Sequence, residues 1–464
     1  MSRPDLLIIG GGAAGLSAAA TARALGLSVE LIDERAGLGG NYYAGAGDIN
    51  GSTVGLVAGY RRGAELIGSA SGSRLRSGVS AWRIEPDGTT RFIDASGAVS
   101  SIAPKRLLIA TGAMERPVLI GGATLPGVMY AGAAQLMLKT ARSVPAGRSV
   151  LVGSGPLLLL LAKQLISFGA APSALVETTP ASGNPATLRD LLSALNAPSL
   201  IREGIGLYAA LRKSGVAWHR AATEVSILGR QRAERVAFTD GRGERRIIDA
   251  DLVLLHDGVV PNDHVTRQLG CDEEWNKGQS CFNPLIDQWG ETSRPGIFAA
   301  GDCTGIWGAQ AAELSGRIAV LAIAEQLGVI DTGERDRRAE QPLRQRARQK
   351  AFRPFLESRF PPSLSRAGMA VADTVICRCE NVTAGEIRTA VAEGATEPNQ
   401  VKAFTRCGMG FCQGRSCSMA LAEIIDAETG RGVAAIGRQE IRAPLKPIPL
   451  GSIASAPAGP EALS

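Results

Sequence analysis

The chain has 464 residues, 45% of them hydrophobic and 20% charged, with a formal net charge of +6. That length accommodates about three domains with large cores, and the balance of apolar and charged residues excludes an intrinsically disordered chain. Aromatics make up only 4% and the basic residues form no single stripe, so no nucleic-acid partner is expected.

The first predicted strand, Asp5 to Ile9, begins almost at once and leaves no room for a secretory signal. Residues 5 to 33 read DLLIIGGGAAGLSAAATARALGLSVELID. An apolar strand enters Gly10-x-Gly12-x-x-Gly15, a helix of small residues follows, and a second strand ends at Asp33. In such a unit the first glycine makes the turn, the second lets backbone approach a pyrophosphate, and the third lets helix pack on sheet. The helix N-terminus stabilises the phosphate charge, and Asp33 or Glu34 lies where a ribose hydroxyl would be accepted.

Two further segments extend the pattern: a strand ending at Ala110-Thr111-Gly112, and GIFAAGDCTG, which delivers Asp302 at its C-terminal end. With these the chain resembles the two-dinucleotide-binding flavoproteins. The resemblance implies an α/β fold with two Rossmann-like domains and FAD in the first. Asp302 would bind the ribitol, and a helix from Gln310 to Leu327 would aim its N-terminus at the isoalloxazine. The implied cofactor set is Gly10, Gly12, Ala14, Gly15, Asp33, Glu34, Arg35, Gly40, Asn41, Ala81, Ala110, Thr111, Gly112, Gly301, Asp302 and Gln310. No cysteine pair lies near either glycine loop, so dithiol chemistry is rejected; Cys271, Cys281 and Cys303 read as small buried hydrophobes.

Residues 147 to 177 repeat the strand–loop–helix–strand pattern with Gly153, Gly155 and a terminal Glu177, but Leu158 stands at the third glycine position. Leucine there would push helix from sheet or narrow the cleft. Two readings follow, a working NAD site and a structural domain whose ligand is changed or lost; the second is preferred. The apolar run Val150 to Ala162 is broken by Gly153, Gly155 and Pro156, too short and interrupted to span a membrane. The basic run from Arg335 to Arg353 reads as a solvated helix or linker face, with docking of an acidic partner as the alternative.

Five of eight cysteines fall between Cys377 and Cys417, in CRC and TRCGMGFCQGRSC. Clustered thiols point to a reducing cytoplasm and metal binding. Soft thiolates suit iron–sulfur or zinc, and a nearby flavin favours iron, because zinc has no redox chemistry. Thr383-x-x-Glu386 predicts a capping box opening a short helix that Gly394 closes. A second helix from Thr396 stops near Gly408, and a third begins after Cys417. Cys377 and Cys379 form one pair; spacing alone allows either Cys407/Cys412 or Cys412/Cys417 as the other.

The module resembles the bacterioferritin-associated-ferredoxin-like [2Fe–2S] domain, whose GMGxCQGRxC form is matched by residues 408 to 417. That resemblance implies Cys377, Cys379, Cys412 and Cys417 as ligands, with Cys407 the alternative. Together with the FAD unit, the GSGPLLLL loop and TLPGVMYAGAAQLMLK (residues 124 to 139), the chain is similar to the larger subunit of multi-subunit amine dehydrogenases: opine oxidases, D-hydroxyproline dehydrogenase, hydrogen cyanide synthase and archaeal L-proline dehydrogenases. The family implies a smaller FAD-dependent subunit that oxidises the C–N bond of an amino acid, imino acid or opine. It also implies, as optional parts, a small ferredoxin-like [2Fe–2S] subunit, an FMN between subunits, and a quinone or carrier-protein acceptor. Location would be cytoplasmic, with any membrane association through the acceptor.

The expected organisation is an FAD domain from 1–113 with 284–330, an inserted second dinucleotide domain at 114–283, a basic linker at 331–370, the [2Fe–2S] module at 371–430 and an extended tail at 431–464. Among three histidines, His219, His256 and His264, none has a partner pattern that nominates it as catalytic. Two competing functions remain: a self-sufficient NAD(P)H-dependent reductase, and a scaffold or redox sensor holding ATP or ADP.

Overall fold

The computed structural model describes residues 3–47, 59–180, 190, 198–364 and 366–454. Residues 455–464 of the expected tail therefore lie outside the described residues.

Leu6–Ile9 is wholly apolar and buried along its length, as a parallel strand covered on both faces must be. It sits at the centre of a five-stranded sheet, between Arg106–Ile109 and Val29–Asp33, with Ile297–Ala299 and Arg74–Ser77 outermost. All four pairings are parallel. The strand Ile297–Ala299 thus returns nearly three hundred residues later to the sheet that the first glycine loop belongs to. Small residues allow the covering helices to approach: a Cβ on Gly316, in the helix Ala309–Gln326, would stand 2.1 Å from the Ala14 carbonyl oxygen of the helix Ala13–Ala24.

A second five-stranded parallel sheet runs Ala217–His219, Ala174–Glu177, Ser149–Ser154, Leu252–Asp257 and Val128–Tyr130. A three-stranded antiparallel sheet accompanies each: Ser80–Ile84 with Thr90–Ile93 and Val99–Ile102 beside the first, and Thr223–Leu228 with Arg235–Thr239 and Arg245–Asp249 beside the second. The fold is a two-Rossmann α/β flavoprotein architecture followed by a small helical module.

The basic run between them is helix for most of its length. Thr332–Lys350 is capped by Asp331, whose side chain accepts from the Glu334 N–H, and Arg353–Arg359 follows. In the C-terminal module the capping box of Thr383 and Glu386 forms as expected, opening Ala384–Ala392. The next helix starts two residues later than predicted, at Pro398, because Glu397 and Gln400 make the box there. Ser418–Thr429 then starts directly after Cys417.

Candidate functional site

At the C-terminal end of Leu6–Ile9 the glycine loop takes the shape its chemistry needs. Gly10 has φ +109°, and a Cβ there would lie 2.3 Å from the Ala110 carbonyl oxygen. A Cβ on Gly15 would lie 1.9 Å from the Gly10 carbonyl oxygen. Gly12 differs: its nearest neighbour would be the Gly40 Cα at 3.8 Å, so space is open above it. Two glycines therefore serve the fold, and one leaves room for a ligand.

Asp33 is buried, and its carboxylate accepts from the Gly11 N–H at 2.5 Å and the Arg35 N–H at 2.8 Å. Arg35 bonds the Asn41 side chain, which donates to the Ala113 carbonyl. Glu34, exposed, pairs with Lys446 from the far end of the chain. Ala110 is buried, Gly112 has φ +70°, and the Thr111 hydroxyl donates to the Asn262 carbonyl. Ala81 lies on the strand Ser80–Ile84, which enters from Val79, itself bonded to the Asp33 carbonyl. Gly301 has φ +84° and packs on Ala14. Asp302 accepts from the Trp307 and Gly308 N–H groups at 2.9 and 3.0 Å, and burial pushes its carboxyl above the usual range. Gln310 is the second residue of the helix Ala309–Gln326 and exposed.

Three residues beside this site carry no role in the sequence patterns above. Trp307 holds the Lys350 ammonium 4.3 Å from its ring centroid. Lys139 is buried and donates to the Asn41 and Tyr42 carbonyls at 3.1 and 3.2 Å. Lys446 reaches Glu34. Trp307 follows the Asp302 motif closely enough to be suspected from sequence; Lys139 closes the segment 124 to 139 but nothing there singles it out, and Lys446 carries no local signal.

The second glycine loop is shaped differently. A Cβ on Gly153 would meet the His256 carbonyl oxygen at 1.7 Å, so this glycine also serves the fold. Leu158 is fully buried in a core with Leu151, Leu161, Leu165, Leu175 and Leu254. Glu177 is buried too, accepting from the Trp218 indole at 3.1 Å with Arg220 3.5 Å away. Asp257, at the end of the neighbouring strand, accepts from the Ser363 and Leu364 N–H groups at 3.0 and 2.9 Å. The Ser363 hydroxyl also donates to Thr178 at 2.8 Å. The linker thus crosses the strand ends where a nucleotide would enter. His256 is buried and bonded through Nδ1 to Glu115 at 2.7 Å.

In the C-terminal module the sulfurs of Cys377, Cys407 and Cys417 lie within 4.8 Å of one another. Hydrogen bonds from Cys407 and Cys417 hold the Cys377 thiol far below its ordinary value, at about 2. Cys379 and Cys412 form a second pair; burial, with Cys412 as its hydrogen-bond partner, raises the Cys379 thiol. All five cysteines of the cluster are therefore brought together, and Cys407 stands closer to Cys377 than a mere spare neighbour would. The Gly408 N–H donates to Cys377 sulfur at 3.5 Å, and a Cβ on Gly410 would strike that of Cys379 at 2.2 Å. Cys271, Cys281 and Cys303 are buried elsewhere, as expected of small hydrophobes.

The loop bearing Cys412 is anchored to the rest of the protein on its inner side. Burial, with Arg415 and Arg267 nearby, pushes the His264 imidazole down to about 3. The neutral ring donates from Nε2 to the Gln413 carbonyl at 3.1 Å. Arg415 donates to the Cys412 and Leu445 carbonyls, and Arg267 to the Gln439 carbonyl.

These residues fit both groups. An open glycine faces a helix N-terminus in the first loop, which suits a pyrophosphate, and a gathered set of thiols with an N–H on sulfur suits an iron–sulfur cluster. Comparisons with known proteins agree. The pyridine nucleotide–disulphide oxidoreductase family matches residues 4–326, and the BFD-like [2Fe-2S] binding domain matches residues 375–427. The chain is a flavin oxidoreductase carrying FAD and a [2Fe–2S] cluster. It is 37% identical to an opine oxidase subunit of Agrobacterium tumefaciens, over 99% of this chain and 93% of that one. It is also 32% identical to hydrogen cyanide synthase subunit HcnB of Pseudomonas aeruginosa, over 96% of this chain and 97% of that one. Within the flavoproteins, then, it belongs to the family of the larger subunits of heteromeric amine dehydrogenases. The fold matches L-proline dehydrogenase from P. horikoshii with a TM-score of 0.72 at 22% identity, covering 97% of this chain and 79% of that one.

Proposed function

We propose that this chain is the electron-transferring subunit of an amine dehydrogenase, and that a partner flavoprotein breaks the substrate's C–H bond next to nitrogen. The substrate class is an opine, imino acid or amino acid, in keeping with the names of its relatives. What supports this reading is the altered second glycine loop: Leu158 fills a core, one Glu177 oxygen accepts from Trp218, and Asp257 accepts from the linker. A chain that takes no hydride from a nicotinamide receives its electrons from elsewhere.

FAD accepts electrons in pairs and a [2Fe–2S] cluster passes them singly, which is the chemistry the two groups supply when bound. The residues of this chain hold and position. Gly12 leaves space for the pyrophosphate, Asp33 fixes the loop through the Gly11 N–H, and Asp302 is held by the Trp307 and Gly308 N–H groups. His264, Arg415 and Arg267 fix the cysteine loop and the segment beyond it. Cys377, Cys379, Cys412 and Cys417 are the proposed ligands, with Cys407, whose sulfur lies with those of Cys377 and Cys417, the alternative.

Two experiments test this. The purified chain, anaerobic, is mixed with NADH and separately with its amine-oxidising partner plus an opine or cyclic imino acid. Bleaching of flavin and cluster bands only with the partner and amine is the expected result; bleaching by NADH within a turnover would establish the self-sufficient reductase instead. Iron content decides the ligands: Cys412→Ser loses the cluster and Cys407→Ala keeps it, whereas the opposite pattern makes Cys407 the ligand.

A further inference from the structure

Gln439 lies beyond the cysteine motif, just after the short helix Val433–Ile436. It is 1% exposed, yet neither its Nε2 nor its Oε1 has a hydrogen-bond partner among the described residues. Burying an amide without its bonds is costly, so a buried polar group is ordinarily satisfied by something at hand. Its position shows by what. The amide lies against two glycines of the cysteine loop: a Cβ on Gly408 would stand 2.3 Å from the Gln439 Nε2, and one on Gly414 would stand 2.6 Å from it. That same point on Gly408 is 3.8 Å from the Cys417 sulfur. Both glycines have positive φ, +90° and +81°. Glycine here meets two demands at once, a left-handed backbone and room for the amide. Arg267 fixes the residue from the other side, its guanidinium donating to the Gln439 backbone carbonyl at 2.5 Å. The neighbouring donors are already committed. The Gly408 N–H donates to the Cys377 sulfur at 3.5 Å, and the Gln413 amide donates to the Gly410 carbonyl at 3.0 Å.

We infer that the Gln439 amide donates an N–H to a sulfur on the Cys417 side of the bound [2Fe–2S] cluster, and that it thereby makes the cluster easier to reduce. The inference rests on the cluster-carrying part of the reading above and not on which partner supplies the electrons. Reduction adds one electron, and so one negative charge, to a group already rich in anionic sulfur. A buried N–H aimed at that sulfur favours the more negative state, and hydrogen bonds to sulfur are among the factors that set such potentials. No bond forms or breaks, no proton moves, and Gln439 stays neutral throughout. Gln439 is thus a positioning residue for charge, held by Arg267 and let in by Gly408 and Gly414.

The test uses the full chain with its cofactors, made with glutamine that carries the heavy nitrogen isotope in its side-chain amide alone. Dithionite reduces the cluster, and pulsed electron paramagnetic resonance reads nitrogen coupled to its spin. The expected result is a coupling that vanishes in Gln439→Met, a variant that keeps the bulk and removes the donor. In a potentiometric titration the same variant, with iron content unchanged, should hold about tenfold less reduced cluster at a given potential, which is ~59 mV for one electron. The flavin midpoint should stay where it was. A coupling that survives in Gln439→Met belongs to Gln413 and overturns the inference, as does a native cluster potential in that variant. If Gln439→Met fails to keep its iron, Gln413→Met decides: coupling kept there upholds the inference, and coupling lost there overturns it. Iron and a reduced-cluster signal without nitrogen coupling overturn the inference while the carrier reading stands. A native chain with no reducible cluster overturns both.

Discussion

Gly12 separates a ligand's requirement from the fold's. Because its Cβ would meet nothing nearer than 3.8 Å, Gly12→Ala is expected to leave the apoprotein's melting temperature within about 1 °C, a surface-like substitution. It should nonetheless weaken FAD binding about tenfold or more, through loss of close approach to the pyrophosphate. Gly15→Ala, with 1.9 Å to the Gly10 carbonyl, should fail in both respects. Flavin retained per polypeptide and the melting curve separate the two. Lys139 and Lys350 make a second residue-scale prediction. Burial pushes both ammonium groups down to about 8 from an ordinary 10.5. Between those values the unfolded chain binds more protons than the folded one, so stability rises with pH across that window. Thermal unfolding from about pH 7.5 to 10.5 should show the rise, and Lys139→Met should flatten part of it.

At the scale of elements, the readable parts were those whose logic is local. The first strand, its glycine loop and the Thr383–Glu386 box were legible because each is set by residues within a turn or two of one another. Leu158 was readable as a departure but not as a core residue, since its neighbours come from three strands and its own helix. Leu158→Ala should cost about 2–5 kcal/mol, the range for a buried leucine, and Leu158→Gly should not create an NADH-reducible flavin, because Glu177 and Asp257 remain engaged. Urea unfolding and an anaerobic NADH titration check the two halves. The pairing of linker with Asp257 spans over a hundred residues and left no trace in the sequence. The thiols illustrate the same limit: spacing offered two second pairs, and only three-dimensional placement put Cys407 beside Cys377.

The whole molecule is tied together by its C-terminal segment. Arg438 is buried and bonded to both Asp263 and Glu273. Burial would raise the Asp263 carboxyl, but Arg438 and Arg267 hold it below its ordinary range. Arg438→Ala takes away the guanidinium shared by those acids and should cost about 3–5 kcal/mol, read as a lower midpoint in urea with the cluster lost first. Beyond it, the Leu445 N–H donates to the Trp82 carbonyl at 2.8 Å and Lys446 pairs with Glu34. The segment read from sequence as an extended tail is thus, through residue 446, a strap from the cysteine module to the flavin-binding sheet. Its contacts to Asp263, Glu273, Trp82 and Glu34 were invisible in the sequence because each joins residues more than a hundred positions apart.

That strap makes the two carriers parts of one rigid frame. A tethered module that swung between donor and acceptor would slow in glycerol as its diffusion slowed. Here the internal hop has no journey to wait for, so its rate should be indifferent to solvent viscosity.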